Sequence, residues 1–313
     1  MITTKLNFED IAALGDYLQY VPYDVSRKEL YNADDLYSSD YDTTVYTHFL
    51  DTGKQAFSAK ESLARCLHDH CISHAMNQFL ADFNPRCIVG IMGGHGLKRT
   101  DSMFRQIVFI SKQLTEHGFL MISGGGPGAM EATHLGAWMA GRTDCDVESV
   151  LHRLSAYPTF RDEGWLESAL EVMRDYTQTR YKSLGIPTWL YGHEPSTPFA
   201  THIAKYFDNS IREATILTIA YGGIVYSPGS AGTMQEVFQE AVQDHYLSYG
   251  FASPMVFIGT DFWTKDIPVY PLLHHLMESG HYNNLLLTLT DSSDEVVKTF
   301  IEFRDKGGDI PDE

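Results

Sequence analysis

The chain has 313 residues, with 41 Asp and Glu against 23 Lys and Arg, so its formal net charge at pH 7 is −18. A protein this acidic repels phosphate backbones, which excludes a nucleic-acid surface but not a small phosphorylated ligand. Its 17 Phe, 18 Tyr and 4 Trp supply enough apolar surface to exclude a disordered chain.

Cysteine usage and hydropathy indicate the compartment. The four cysteines show no CxxC spacing and are too sparse for a disulfide framework, which favours a reducing environment. The N-terminal residues carry acids and lack the apolar core of a signal peptide, and no run of about 18 apolar residues occurs. We therefore expect a cytoplasmic protein with no membrane partner.

Residues 1–84 differ from the rest of the chain and are predicted to form a helical or irregular N-terminal extension. Up to about Ser58, tyrosines recur among Asp and Ser, a texture typical of irregular or short-helical structure. One helix is predicted over residues 58–83, with Ser58 as its N-cap and Glu61 as the capping-box partner. The Asn-Pro pair that follows ends this helix.

Residues 85–313 alternate between short apolar segments and amphipathic ones. Strands are predicted over residues 87–92, 119–122, 185–190, 223–226, 254–258 and 285–289. Helices are predicted over residues 101–117, 129–140, 197–220, 234–246 and 294–304, with an insertion of one or two helices at about 144–182. Short apolar strands separated by helices predict an α/β domain with a doubly wound, mostly parallel, Rossmann-like sheet.

Three glycine-rich turns follow three of these strands and precede helices. The first glycine turn covers residues 93–96, the second 123–128 and the third 228–233. At the carboxyl ends of parallel strands, glycine lets the backbone approach a ligand, and the following helix offers free N–H groups to an anion. The three turns together predict a phosphate-containing ligand.

Two common nucleotide signatures fit this chain poorly. The second glycine turn lacks the last glycine of G-x-G-x-x-G, since residue 129 is Ala, and the acidic residue expected about 20 positions later falls in the insertion. No GxxxxGK[ST] sequence is present. Neither an NAD enzyme nor an ATPase is favoured, and no cofactor or metal is expected.

Two segments resemble the signatures of the Lonely Guy (LOG) family. Residues 123–137 read SGGGPGAMEATHLGA and residues 228–236 read PGSAGTMQE. They are similar to the family patterns GGGxxGxM…GA and PGGxGTxxE. Between them, the LGIP at 184–187 is similar to the family's IGI strand, and Arg212 lies near the position of the family's RK arginine. The resemblance covers about residues 86–260.

The resemblance implies a phosphoribohydrolase that cleaves a nucleoside 5′-monophosphate to free base and ribose 5-phosphate. It implies Arg212 and Glu236 as catalytic residues: the carboxylate orients or deprotonates water, and the arginine neutralises the phosphate or polarises the leaving base. It also implies a homodimer or larger assembly with the site near the subunit contact. The residues predicted to bind the nucleotide are Gly93, Gly94, Gly124, Gly125, Gly126, Gly128, Met130, Gly229, Ser230, Ala231, Gly232 and Thr233.

The chain departs from the family patterns at three places. Ser230 replaces the second glycine of PGG, and Glu213 replaces the lysine after the arginine, where it could pair with Arg212. The first glycine turn reads GGHGLKRT where the family has a GSSR-like turn, and the sequence leaves open whether Arg99 takes the place of that turn's arginine. These departures, together with the extension, leave open a nucleotide-binding sensor without catalysis.

Other interpretations rest on single features. Pro228–Gly232 approximates the nucleophile elbow GxSxG, so a serine esterase could use Ser230. The residues that could complete an esterase triad are Asp261, Asp266, His274, His275 and His281.

Two further features have simpler interpretations. Glu131 is interpreted as an acid at a helix start, favoured by the helix dipole. The histidines that could suggest a metal site, without a defined third ligand, are His68, His70 and His74.

Overall fold

The computed structural model describes residues 14–306. The first 13 residues of the predicted extension, and residues 307–313 at the end of the predicted sheet domain, lie outside this part of the chain. Within residues 14–306, no helix is long and apolar enough to cross a bilayer.

A single parallel sheet organises the described chain. Its seven strands have the order β4-β3-β2-β1-β5-β6-β7, and every neighbouring pair is parallel. The strands are β1 (Ile88–Met92), β2 (Leu120–Ser123), β3 (Ser183–Gly185), β4 (His202–Ile203), β5 (Gly223–Tyr226), β6 (Pro254–Ile258) and β7 (Leu286–Thr290). The chain builds outward from β1 in one direction as far as β4 and then in the other from β5, so the topological switch point lies between β1 and β5. The doubly wound α/β prediction is confirmed.

Helices cover both faces of the sheet. They are α1 (Leu14–Tyr17), α2 (Ala33–Tyr37), α3 (Tyr41–Asp51), α4 (Ala59–Leu80), α5 (Ser102–Glu116), α6 (Ala129–Trp138), α7 (Asp144–Leu154), α8 (Trp165–Asp175), α9 (Asn209–Ile219), α10 (Ala231–Tyr246), α11 (Val269–Glu278) and α12 (Ser293–Asp305). Two of these helices, α7 and α8, lie in the segment that the sequence predicts to be an insertion.

Successive side chains along each strand point to opposite faces of the sheet, so the buried side chains form two cores. Val89 and Ile91 of β1 face one core with α5, α6, α7, α8 and α12. Ile88 and Met92 face the other core with α4, α9, α10 and α11. Because the central strands are buried on both faces, they read as continuous apolar runs rather than alternating patterns.

The extension shares the second core instead of standing apart from it. Tyr31 is fully buried and forms an antiparallel bridge to Ile203 of β4. Its ring and that of Phe49 belong to an aromatic cluster with Trp189 and Phe207 of the sheet domain. The extension therefore adds its side chains directly to the sheet's own core. The division of the chain at residue 84 stays a prediction.

Three sequence predictions about secondary structure are wrong. The helix predicted over 197–220 begins only at Asn209, because residues 197–207 run as a buried connection that includes β4. The strand predicted over 185–190 ends at Gly185, where a buried loop begins. The Glu61 side chain does not complete a capping box: Ser58 accepts from the Glu61 N–H, but the carboxylate accepts from Arg65 Nε at 2.7 Å.

Candidate functional site

The three glycine turns meet at the carboxyl ends of β2, β1 and β5, which are adjacent in the sheet. Gly94 in the first turn connects them: its N–H donates to Pro228 O at 3.1 Å, and its carbonyl accepts from Ala129 N at 3.2 Å. The turns therefore surround the switch point, which is where open α/β sheets bind ligands.

The second glycine turn is closed by packing. Gly124, Gly125, Gly126 and Gly128 are all buried. Gly128 has φ +71°, and a Cβ there would lie 2.5 Å from the Gly94 carbonyl oxygen. These glycines are needed because backbone and side chains approach them closely, so a ligand reaches little of this turn. Gly93 is similarly tight, since an added Cβ would lie 1.9 Å from Ser227 Oγ.

The third glycine turn is open. Ser230, Ala231 and Gly232 are exposed, and their N–H groups at the start of α10 have no acceptor within residues 14–306. Thr233 is buried behind them, with Oγ1 2.1 Å from where a Gly229 Cβ would stand. Free N–H groups at the start of a 16-residue helix make this turn suited to an anion.

Arg212 lies one turn into α9 and reaches over the second glycine turn. Its Nε donates to Ile186 O at 2.9 Å and its Nη2 to Gly124 O at 3.4 Å. Its Nη1 has no protein partner in the described chain. Burial lowers the pKa of the guanidinium, and the Glu236 and Glu213 carboxylates oppose that shift. The backbone thus fixes the side chain while leaving donors for a ligand.

Glu236 lies in the second turn of α10 and faces Arg212 without pairing with it. The two side chains interact electrostatically, but no ion pair within 4 Å and no hydrogen bond to the Glu236 carboxyl is found among residues 14–306. Burial raises the pKa of Glu236 to about 7, Arg212 lowers it and Glu213 raises it. A carboxyl group titrating near neutral pH is suited to proton transfer.

Glu213 does not pair with Arg212 as its sequence position suggested. Its carboxylate accepts from Asn209 Nδ2 at 2.6 Å and from Gln235 Nε2 at 3.4 Å. These bonds turn the carboxylate toward its own helix and α10. Its charge still reaches Arg212 through space.

A second arginine–glutamate pair was missed by sequence reasoning. Arg99, after the first glycine turn, and Glu131, after the second, are both 1% exposed and 2.5 Å apart. Arg99 also donates to Ser168 Oγ at 3.0 Å and to the carbonyl oxygens of Tyr157 and Trp165, all in the insertion. Burial raises the pKa of Glu131, and Arg99 lowers it. Glu131 does lie in the first turn of α6, as interpreted, but its role is to pair with Arg99.

One further acid near the site had no sequence signal. Glu194 follows the short 3₁₀ helix Trp189–Tyr191, and its Oε1 lies 3.7 Å from Nε2 of the exposed His95. Its charge also reaches Arg212. The loop that carries Glu194 is bonded to the extension on both sides: Trp189 Nε1 donates to Asp42 Oδ1 at 3.0 Å, and Tyr37 Oη donates to Ser196 O at 2.5 Å. Local sequence does not reveal such contacts.

The esterase constellation is not assembled. No histidine lies within hydrogen-bond distance of Ser230 among the described residues, and its φ of −117° is unlike a strained elbow. His281 bonds to Ser279 Oγ at 2.9 Å, and Asp261 pairs with Lys265 at 2.6 Å. In the same part of the chain, no group of three or more His, Cys, Asp or Glu side chains could hold a metal ion.

Comparisons with known proteins found structural similarity only. No protein-family model and no curated protein matches the chain. Three solved structures superpose weakly, and at this level neither family nor function follows from them. The first is TM1055, with 17% identity and a TM-score of 0.45, where the match covers 69% of this chain and 98% of that one. The second is a molybdenum cofactor binding protein from the phototrophic bacterium Rippkaea orientalis, with 14% identity, a TM-score of 0.44 and coverage of 68% of this chain and 96% of that one. The third is a molybdenum cofactor carrier protein from Chlamydomonas reinhardtii, with 16% identity, a TM-score of 0.43 and coverage of 70% of this chain and 99% of that one.

Proposed function

We propose that this protein is a nucleotide phosphoribohydrolase, which hydrolyses the N-glycosidic bond of a nucleoside 5′-monophosphate. The observation that carries the proposal is the Glu236 carboxyl, held unpaired beside Arg212 and next to an open helix N-terminus. The motif resemblance to the LOG family supports the same reaction, because both proposed catalytic residues belong to its patterns.

The phosphate is proposed to bind at the third glycine turn. Ser230, Ala231 and Gly232 offer three backbone N–H groups, and Thr233 Oγ1 has no hydrogen-bond partner within the described residues. The dipole of α10 favours a dianion at this end. The free Nη1 of Arg212 is proposed as a further donor to the nucleotide, since the other two guanidinium nitrogens are bonded to backbone carbonyls.

The chemistry follows from the position of Glu236. The bond between C1′ and the base nitrogen breaks, its electron pair leaves with the base, and C1′ passes through an oxocarbenium-like state. The Glu236 carboxylate stabilises that charge and takes a proton from the attacking water, whose oxygen bonds to C1′. The base takes up a proton as it leaves, so the products are free base and ribose 5-phosphate.

The remaining elements of the proposal depend on the resemblance. A homodimer or larger assembly, with the site near the subunit contact, is proposed on that ground alone. The reaction consumes only water, so the proposal includes no cofactor. A cytoplasmic location stays a prediction.

A nucleotide sensor without catalysis is the second candidate. The closed second glycine turn favours it, because a ligand would contact mainly the third turn and Arg212. The bonds of Glu213 to Asn209 and Gln235 weaken it, because they leave Arg212 unpaired.

A panel of nucleoside 5′-monophosphates distinguishes the two. We expect purified protein to release base and ribose 5-phosphate from at least one of them, measured by chromatography, and Glu236→Gln to release neither. Glu278→Gln, an exposed acid on α11, is the matched control and should keep full activity. Nucleotide binding by thermal shift without release from any substrate would favour the sensor. Absence of both binding and release would contradict the proposed site.

A further inference from the structure

The extension holds the start of α9 through one buried carboxylate. Asp69 of α4 is 2% exposed. Its Oδ1 accepts from Phe207 N at 3.0 Å, and its Oδ2 accepts from Phe207 N at 3.2 Å and from Asp208 N at 2.8 Å. Both N–H groups belong to the two residues that precede α9. These contacts join positions 138 and 139 residues apart, so they set the position of α9 relative to the extension.

The same segment leads directly to the proposed site. Asp208 is the N-cap of α9, and its carbonyl oxygen accepts from Arg212 N at 3.3 Å. Asp208 therefore bonds to Asp69 through its N–H and to the backbone N–H of Arg212 through its carbonyl oxygen. A shift of the first turn of α9 would move the Arg212 guanidinium away from Gly124 and Ile186.

Asp69 is itself held from within the extension. His68 Nδ1 lies 2.9 Å from Asp69 Oδ1, and His68 Nε2 lies 2.9 Å from Tyr31 Oη. With the proton on Nδ1, the imidazole donates to the carboxylate and accepts from the tyrosine. Tyr31 and His68 are both fully buried, so this chain of bonds is shielded from water.

We propose that Asp69 is a positioning residue for Arg212, so that the extension sets the geometry of the site. The inference rests on the proposed function for its kinetic consequence, but its structural consequence can be measured independently. A carboxylate suits this position because both oxygens accept N–H bonds and its charge favours the N-terminus of α9. An amide would turn one NH₂ toward those donors.

Hydrogen exchange tests the structural part without any substrate. Asp69→Asn should exchange amides of residues 207–213 at least about tenfold faster than wild type, because charge-assisted bonds that close the first turn are lost. His70→Ala, a neighbouring exposed change on α4 with no bond to this segment, should leave that exchange unchanged. Unchanged exchange in Asp69→Asn would overturn the proposal. If Asp69→Asn does not fold, exchange in the wild-type protein decides instead: strong protection of the Phe207 and Asp208 amides supports the proposal, and exchange at the unprotected rate overturns it.

A double-mutant cycle tests whether Asp69 acts through Arg212. We expect Asp69→Asn to lower kcat/KM about tenfold in the wild type but less than about twofold in an Arg212→Lys background. Equal losses in both backgrounds would show a general structural role and contradict positioning. If the wild type neither binds nor hydrolyses nucleotides, the proposed function fails, and the exchange experiment alone decides the role of Asp69.

Discussion

Two arginine–glutamate pairs lie at the same edge of the sheet, and they differ in whether the two side chains contact each other. Arg99 and Glu131 are fully buried and in direct contact at 2.5 Å, with the remaining donors of Arg99 bonded to the insertion. Arg212 and Glu236 interact at a longer distance, and each has hydrogen-bonding capacity left over. In both pairs the glutamate follows a glycine turn by a few residues.

The difference shows that residue type and spacing do not decide function here. The second glycine turn is sealed, so the acid after it pairs with an arginine and stabilises the fold. The third turn is open, and the acid after it stays unpaired with a raised pKa. The unpaired, half-buried carboxylate of Glu236 lowers the stability of the fold, and such destabilising groups are typical of ligand-binding and catalytic sites.

The largest expected effect is on the closed pair. Glu131→Gln leaves the buried Arg99 charge uncompensated and should lower the free energy of unfolding by about 3–5 kcal/mol, measured by urea denaturation. Glu148→Gln, which breaks the exposed pair with Arg105, is the control and should change stability far less. Equal effects of the two variants would contradict the structural role of Glu131.

The next largest effect is expected at the contact between Arg212 and the second turn. A Cβ at Gly124 would stand 2.1 Å from Arg212 Nη2 and 2.7 Å from Met130 Sδ. Gly124→Ala should therefore displace the guanidinium and lower kcat/KM about 100-fold. Gly96→Ala, where an added Cβ meets nothing within 4 Å, should behave as wild type. Full activity in Gly124→Ala would show that Arg212 need not lie where it does.

A smaller effect concerns the dependence of stability on pH. Burial raises the pKa of Glu240 to about 8, with the Asp244 charge adding to that shift, and burial raises the pKa of Asp244 to about 7. The native state then binds more protons than the unfolded state, so stability falls as pH rises from about 4 to 8. Burial lowers the pKa of His134 to about 3. That shift makes stability rise with pH, but only below about pH 6.5, where the unfolded histidine binds a proton.

The net loss should therefore be clearest between pH 6.5 and 8. Glu240→Gln should remove about 1.5 kcal/mol of that loss, by linkage at 1.36 kcal/mol per pKa unit over this pH range. Melting temperatures at pH 6.5 and 8 for wild type and variant measure this. A wild-type melting temperature that rises over this range would contradict the assigned protonation.

The smallest expected effect is at the open turn. Gly232 lies in the first turn of α10, and an added Cβ meets no atom within 4 Å. Gly232→Ala should raise stability by up to about 1 kcal/mol through helix propensity, yet weaken nucleotide binding by crowding the phosphate. Higher stability with unchanged affinity, measured by calorimetry, would mean that the phosphate does not bind at this turn.

Sequence reasoning predicted the sheet and its glycine turns because those signals are local. An apolar run followed by glycine and then an amphipathic segment marks a strand, a turn and a helix. The helix predicted over 197–220 was wrong because β4 has only two residues and is fixed by pairing with β3 and Tyr31. Such pairing joins distant parts of the chain and leaves no local pattern.

In the candidate site, too, the features with a local sequence signal were predicted, and those that depend on distant contacts were not. The resemblance pointed to Arg212 and Glu236, and Glu131 was interpreted as an acid at a helix start, but its pairing with Arg99 was not predicted, because that contact depends on the fold. The contribution of Asp69 was also invisible, since its partners lie 138 and 139 residues away. Burial and distant contacts, rather than residue identity, distinguish Glu236, the proposed catalytic acid, from the paired Glu131.

Base release by Glu236→Gln at pH 8, compared with wild type on the same nucleoside 5′-monophosphate, tests the central claim most directly. The substitution keeps the shape of the side chain and removes its charge and its proton acceptor. We expect the variant to keep its fold and to release base at least about 100-fold more slowly, the usual contribution of a general base. Release at the wild-type rate would contradict a catalytic role for the unpaired carboxyl.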